Sequence, residues 1–77
     1  MKSNKEMINN IIDFSFEVQA SKVSGLDWRV LLYSNRLSTE CAKFLMFGGT
    51  TQEVSKAIAK GKSEFKKYYK REQLASV

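Results

Sequence analysis

The chain has no proline, no histidine and a single cysteine among its 77 residues. Without histidine there can be no His-based catalytic triad, no histidine pH switch and no mixed Cys/His zinc site, and one cysteine cannot close an internal disulfide. No run of about 18 uncharged apolar residues exists to form a transmembrane helix. The opening Met1-Lys2-Ser3-Asn4-Lys5-Glu6 meets two asparagines before any apolar run develops, so it lacks the apolar core of a secretory signal. The lone cysteine agrees with a reducing compartment, and the location expected is cytoplasmic. Most enzyme chemistry is excluded with these residue types. The sequence therefore predicts no enzyme, no cofactor, no metal and no small-molecule substrate.

What is present is a short basic chain of net charge +5 with 43% hydrophobic residues, enough apolar content to fold as one domain over residues 1–77. Alternating β-branched runs are missing, so no strand is predicted and the fold class is all-α. Gly25 and Gly48-Gly49 punctuate the chain into three segments. Each opens on an [ST]-x-x-[DE] pair: Ser3 with Glu6, Ser24 with Asp27, and Thr50 with Glu53. In such a capping box the hydroxyl accepts a first-turn amide hydrogen bond while the acid reaches back to the cap residue's own amide.

In the first segment Met7, Ile11, Phe14 and Val18 form one helical stripe beside Ile8, Ile12 and Phe16, with Lys5, Glu6, Asn9, Asn10, Asp13 and Glu17 left for water. The middle segment is the most hydrophobic and reads as the core element. It carries Leu26, Val30, Tyr33, Leu37, Cys41 and Phe44 at helical spacing, widened by Trp28, Leu31, Leu32, Leu45, Met46 and Phe47. Trp28 is assigned to the core, and Cys41 reads as a small buried thiol with no base to activate it. Ser34-Asn35 at the centre are poor helix formers, so a break is expected near Asn35. The predicted architecture is a small bundle of three capped segments and four helices, over about residues 4–20, 26–34, 36–47 and 51–72, with a short C-terminal tail.

The last segment holds the charge. Residues 50–77 carry seven Lys/Arg against three acids, whereas residues 1–49 carry six against five. On one continuous helix Val54, Ala57, Ile58, Gly61, Phe65, Tyr68 and Tyr69 gather in an apolar sector. Lys56, Lys60, Lys67 and Arg71 form a basic row, and Lys62, Lys66 and Lys70 form a second beside it, with Glu53 and Glu64 along one edge. Like charges at i,i+4 destabilise a helix by about 0.2–0.5 kcal/mol per pair, so the segregation points to an anionic partner. Phosphate is the first candidate, because each phosphate neutralised releases condensed counterion. Gly61 lies on the apolar sector, where a mid-helix glycine costs about 1 kcal/mol, and implies close approach of another helix. Tyr68 is expected in the core, and Tyr69, nearer the basic rows, as the residue that can stack on bases. The stretch from Thr51 to Ser63 bears a superficial likeness to a helix-turn-helix, but that motif puts hydrophobic residues beside its turn glycine, where this chain has Lys60 and Lys62.

The short Asn/Lys/Ile-rich opening and the lysine-rich last helix resemble the small helical companion proteins of the T-even phage recombination helicase UvsW, which are similar to the HRDC module of RecQ-type helicases. The resemblance covers size, helix count and basic surface and assigns no residue. It implies structure-dependent nucleic-acid binding beside a helicase, in the host cytoplasm.

Two functions fit these observations. One is a non-catalytic nucleic-acid-binding accessory module, DNA before RNA, with Lys56, Lys60, Lys62, Lys66, Lys67, Tyr69, Lys70 and Arg71 as the contact residues. The other is an adaptor or inhibitor that docks on an acidic patch of a larger enzyme. Binding to a membrane surface is disfavoured: the last helix has no Trp and its apolar residues are needed for the core.

Overall fold

The computed structural model describes residues 3–75, and among them the fold is all-helical: α1 (Asn4–Val23), α2 (Asp27–Met46) and α3 (Thr51–Ala75), with extents of 46 × 23 × 19 Å. The middle segment is one helix, not two. Ser34 and Asn35 have weak propensity, but the stripe Val30, Tyr33, Leu37, Cys41 and Phe44 continues past them in unbroken 3.6-residue register. A break would dislocate half of that stripe. Arg29 and Arg36 also sit over the Tyr33 ring, 5.5 and 5.6 Å from its centroid, and bridge the suspect turn from both sides. Tertiary packing overrides propensity here.

The central element is α1, which corrects the expectation that the middle segment is the core. It packs against both other helices, while α2 and α3 scarcely meet. Met7, Ile11, Ile12, Ser15, Val18 and Ser21 are all buried on it, whereas α2 buries only Glu40 and Phe44. The side-chain pairs Asn10–Glu40, Phe14–Tyr33 and Glu17–Arg29 show α2 running antiparallel to α1. The pairs Ser15–Ile58 and Phe16–Phe65 show α3 running parallel to it. At the Gly48 end Phe44 and Ala57 close over Met7, Ile11 and Ile12.

The glycines end helices as the sequence predicts. Gly25 and Gly48 take φ of 71° and 91°. At each, the next residue's amide donates back to the third-last helical carbonyl, Leu26 to Ser21 and Gly49 to Phe44, which completes a Schellman turn. This explains why the box at Ser24 and Asp27 does not form. Ser24 is the C-cap of α1, and the N-cap of α2 is Leu26, which makes no side-chain cap bond. At the other two helix starts Ser3 Oγ accepts from the Glu6 amide, and Thr50 and Glu53 form the reciprocal box at 3.1 and 3.2 Å. Thr50→Ala should therefore lower stability by about 1 kcal/mol, read as an earlier urea midpoint at unchanged slope. An unmoved midpoint would mean that the box adds nothing to α3.

Candidate nucleic-acid interface

On α3, every basic residue singled out from the sequence is exposed: Lys56, Lys60, Lys62, Lys66, Lys67, Lys70 and Arg71. Ala57, Gly61 and Phe65 are the buried face of the helix. At about 100° per residue the seven cations cover roughly half the helix circumference, centred opposite that face. The helix runs through Gly61 without a turn, so the two basic rows are continuous over the 16 residues from Lys56 to Arg71, about 22 Å.

What holds α3 in this orientation is the contact at Gly61. A Cβ placed there would fall on the Ile12 carbonyl oxygen and lie 2.7 Å from Ser15 Cβ, so the two helix backbones touch at this point. Ser15 Oγ donates to the Ile58 carbonyl at 2.8 Å and ties the helices together one turn earlier. Further along, Phe16 packs edge-on to Phe65 and Tyr68, with centroids 5.5 and 5.7 Å away. A helix fixed at three successive points on one side cannot roll, and its lysines stay turned outward.

Two of the acids border this face along the edge that turns toward α1, and Glu53 shares a groove there with Lys56 and Lys60. Glu53 is engaged with Thr50, its hydroxyl and amide both donating to Oε1. Glu64 shares a shallow groove with Asp13, Phe16 and Glu17 on the α1 side.

The two tyrosines depart from expectation. Tyr68 is not in the core: its ring edge meets Phe16, and the residue is half-exposed. Tyr69 is exposed at the margin of the basic rows, as predicted, but its ring stacks on Phe65 at 5.7 Å and 29°. One face of the ring is thus occupied within the molecule, and only the other is open. Trp28, assigned to the core from the sequence, is 65% exposed on α2.

Sequence reasoning passed over the polar interior between α1 and α2. Glu40 is buried; Asn10 donates to its Oε2 at 2.9 Å, and Lys43 Nζ lies 3.9 Å from Oε1. Glu17 pairs with Arg29 at 3.2 Å. The available signal was position, because Glu40 falls in the same sector as Leu37 and Phe44. Cys41 beside it is half-buried. Desolvation, and after it the neighbouring Glu40 carboxylate, pushes its thiol above the ordinary value, so it stays protonated at neutral pH and is a poor nucleophile. Among the described residues no cluster of three or more His, Cys, Asp or Glu is placed to hold a metal ion, and no helix is long and apolar enough to cross a membrane.

No protein-family model, curated protein or solved structure matches this chain.

Proposed function

We propose that this chain is a small non-catalytic nucleic-acid-binding accessory module that grips the phosphate backbone with the basic face of α3. The observation that carries the reading is the exposure of all seven cations on the side of α3 opposite its buried contact with α1. Duplex DNA carries one charge per about 1.7 Å of its axis with both strands counted, so a basic face about 22 Å long runs beside several phosphates of the strands that face it. Backbone contact of this kind positions a protein without reading sequence. DNA is taken ahead of RNA, and the resemblance to helicase companions extends the reading to a module working beside a recombination or repair helicase.

The test is an anisotropy titration of labelled single-stranded, duplex and branched DNA across a salt series. Log affinity should fall linearly with log salt, with a slope of about −0.9 per phosphate contact on duplex and about −0.7 on single strands, and with little dependence on sequence. If no DNA binds even at about 50 mM salt, where such contacts are strongest, the reading fails. The lysines would then belong to an adaptor that meets an acidic protein surface.

A further inference from the structure

The α2 helix is apolar on two opposite sides, and only one of them is covered. Val30, Tyr33, Leu37, Cys41 and Phe44 face α1. Trp28, Leu31, Leu32, Leu45, Met46 and Phe47 lie on the other side or at the helix end, with Trp28 65%, Leu31 64% and Met46 81% exposed. These six residues form two clusters, Trp28, Leu31 and Leu32 at one end of α2 and Leu45, Met46 and Phe47 at the other, which together leave on the order of 600–700 Å² in water, approaching the roughly 800 Å² that one partner gives a standard interface. That is a large share of a molecule whose described surface is 5502 Å².

The pattern on this face suits a second copy of the same helix. Trp28, Leu32, Asn35, Thr39, Ala42 and Met46 are spaced 4, 3, 4, 3, 4, the seam of a helix that packs along another helix, and none is charged. All six are exposed. The series is also complementary to its own reverse. Laid antiparallel on itself, the largest residue, Trp28, meets flexible Met46, Leu32 meets small Ala42, and Asn35 meets Thr39, a polar pair able to hydrogen bond across the centre. On one flank Leu31 meets Leu45 and Ser38 meets its own copy. A parallel pairing would set Trp28 on Trp28 and leave Ala42 against Ala42.

We propose that the outer face of α2 is a homodimer interface, with α2 packed antiparallel on the α2 of a second copy about a twofold axis at the level of Leu37. The proposal stands independently of the nucleic-acid reading. A twofold axis requires each contact to occur twice with its partners exchanged, and this palindromic series satisfies that requirement. On the other flank Arg29 meets Lys43 of the second copy and Arg36 meets its own copy. Two of these charges are already matched, Arg29 by Glu17 and Lys43 by Glu40, and Arg29 and Arg36 are drawn back over Tyr33. The remaining repulsion is screened by salt, so self-association should hold or strengthen as salt rises, whereas phosphate binding weakens.

Sedimentation equilibrium of the full chain at tens of micromolar should give twice the 8.8 kDa chain mass. Trp28→Ala should weaken association about thirtyfold, as truncation of an aromatic anchor does. The double variant Leu31→Glu with Met46→Glu should be monomeric with an unchanged helical spectrum, since both sites are exposed. Orientation is tested in a Cys41→Ser background by mixing Leu32→Cys chains with Ala42→Cys chains. The two kinds should form a crossed disulfide under mild oxidation, while each alone should not, its paired sites lying about 15 Å apart along the axis. A monomer up to the highest soluble concentration, or a dimer untouched by the double glutamate variant, would overturn the interface. Efficient disulfides within each single-cysteine sample would overturn the antiparallel register.

Discussion

Gly61→Leu should destabilise the protein by about 3 kcal/mol, with Gly61→Ala losing about 1–3 kcal/mol, although both residues favour helix more than glycine does. The sign is set by geometry. Alanine gains about 1 kcal/mol of helix propensity at an exposed site. Here its Cβ would meet the Ile12 carbonyl and sit 2.7 Å from Ser15 Cβ and 3.0 Å from the Phe16 amide nitrogen. Two of these atoms are backbone and cannot swing aside, so α3 must move off α1. That movement also stretches the Ser15 to Ile58 hydrogen bond and opens the Phe16–Phe65 contact. A core of this size supplies only about 3–5 kcal/mol in all, so the leucine variant should be largely unfolded at room temperature by circular dichroism. A raised melting temperature for either variant would place Gly61 on an open surface and rotate every lysine assignment on α3.

Replacing Lys62, Lys66 and Lys70 together with glutamine should have the largest effect on binding. Each phosphate contact removed takes about 0.9 from the salt slope on duplex DNA, so the triple variant should lose between two and three in slope. Affinity near physiological salt should fall by about a hundredfold or more, and by similar factors on unrelated sequences. The matched control replaces Lys2, Lys5 and Lys22, which removes the same formal charge outside α3. The control should keep nearly all of the salt slope. Equal losses from the two variants would show that net charge alone attracts DNA, and α3 would not be the site.

The parts of this architecture that depend on local rules could be read from the residues. Period and glycine placement gave three segments, and Thr50 with Glu53 gave the start of α3. Gly61 on an apolar stripe gave the helix contact, since few other circumstances place glycine there. The lysine rows followed from angle alone. What the residues do not encode locally is which helix lies in the middle. By composition α2 is the most apolar, but its hydrophobic residues divide between two opposed faces, and α1 can cover one of them. Meanwhile α1 buries a wide face against both neighbours, in part through residues whose letters look polar. Ser15 and Ser21 are small enough to sit at close contacts and give their hydroxyls to the Ile58 and Glu17 carbonyls. Asn10 and Glu17, read as solvated, face Glu40 and Arg29. The Ser34-Asn35 break and the Ser24 box were local signals overruled by neighbours, the first by packing along Tyr33 and the second by the turn that ends α1.

The central position of α1 also orders the assembly of the chain. Antiparallel α1 and α2 are joined across a tight turn at Gly25, and their pairing can zip outward from Glu17–Arg29 to Asn10–Glu40 through contacts that begin 12 residues apart. Parallel α3 has no such route. Its first tie to α1, Ser15 to Ile58, closes a separation of 43 residues across the whole of α2. Loop-closure entropy therefore favours a helical hairpin first and the arrival of α3 second. Until α3 arrives, the groove of Ile8, Ile12 and Phe16 stands open, and the basic face has no rigid helix to support it.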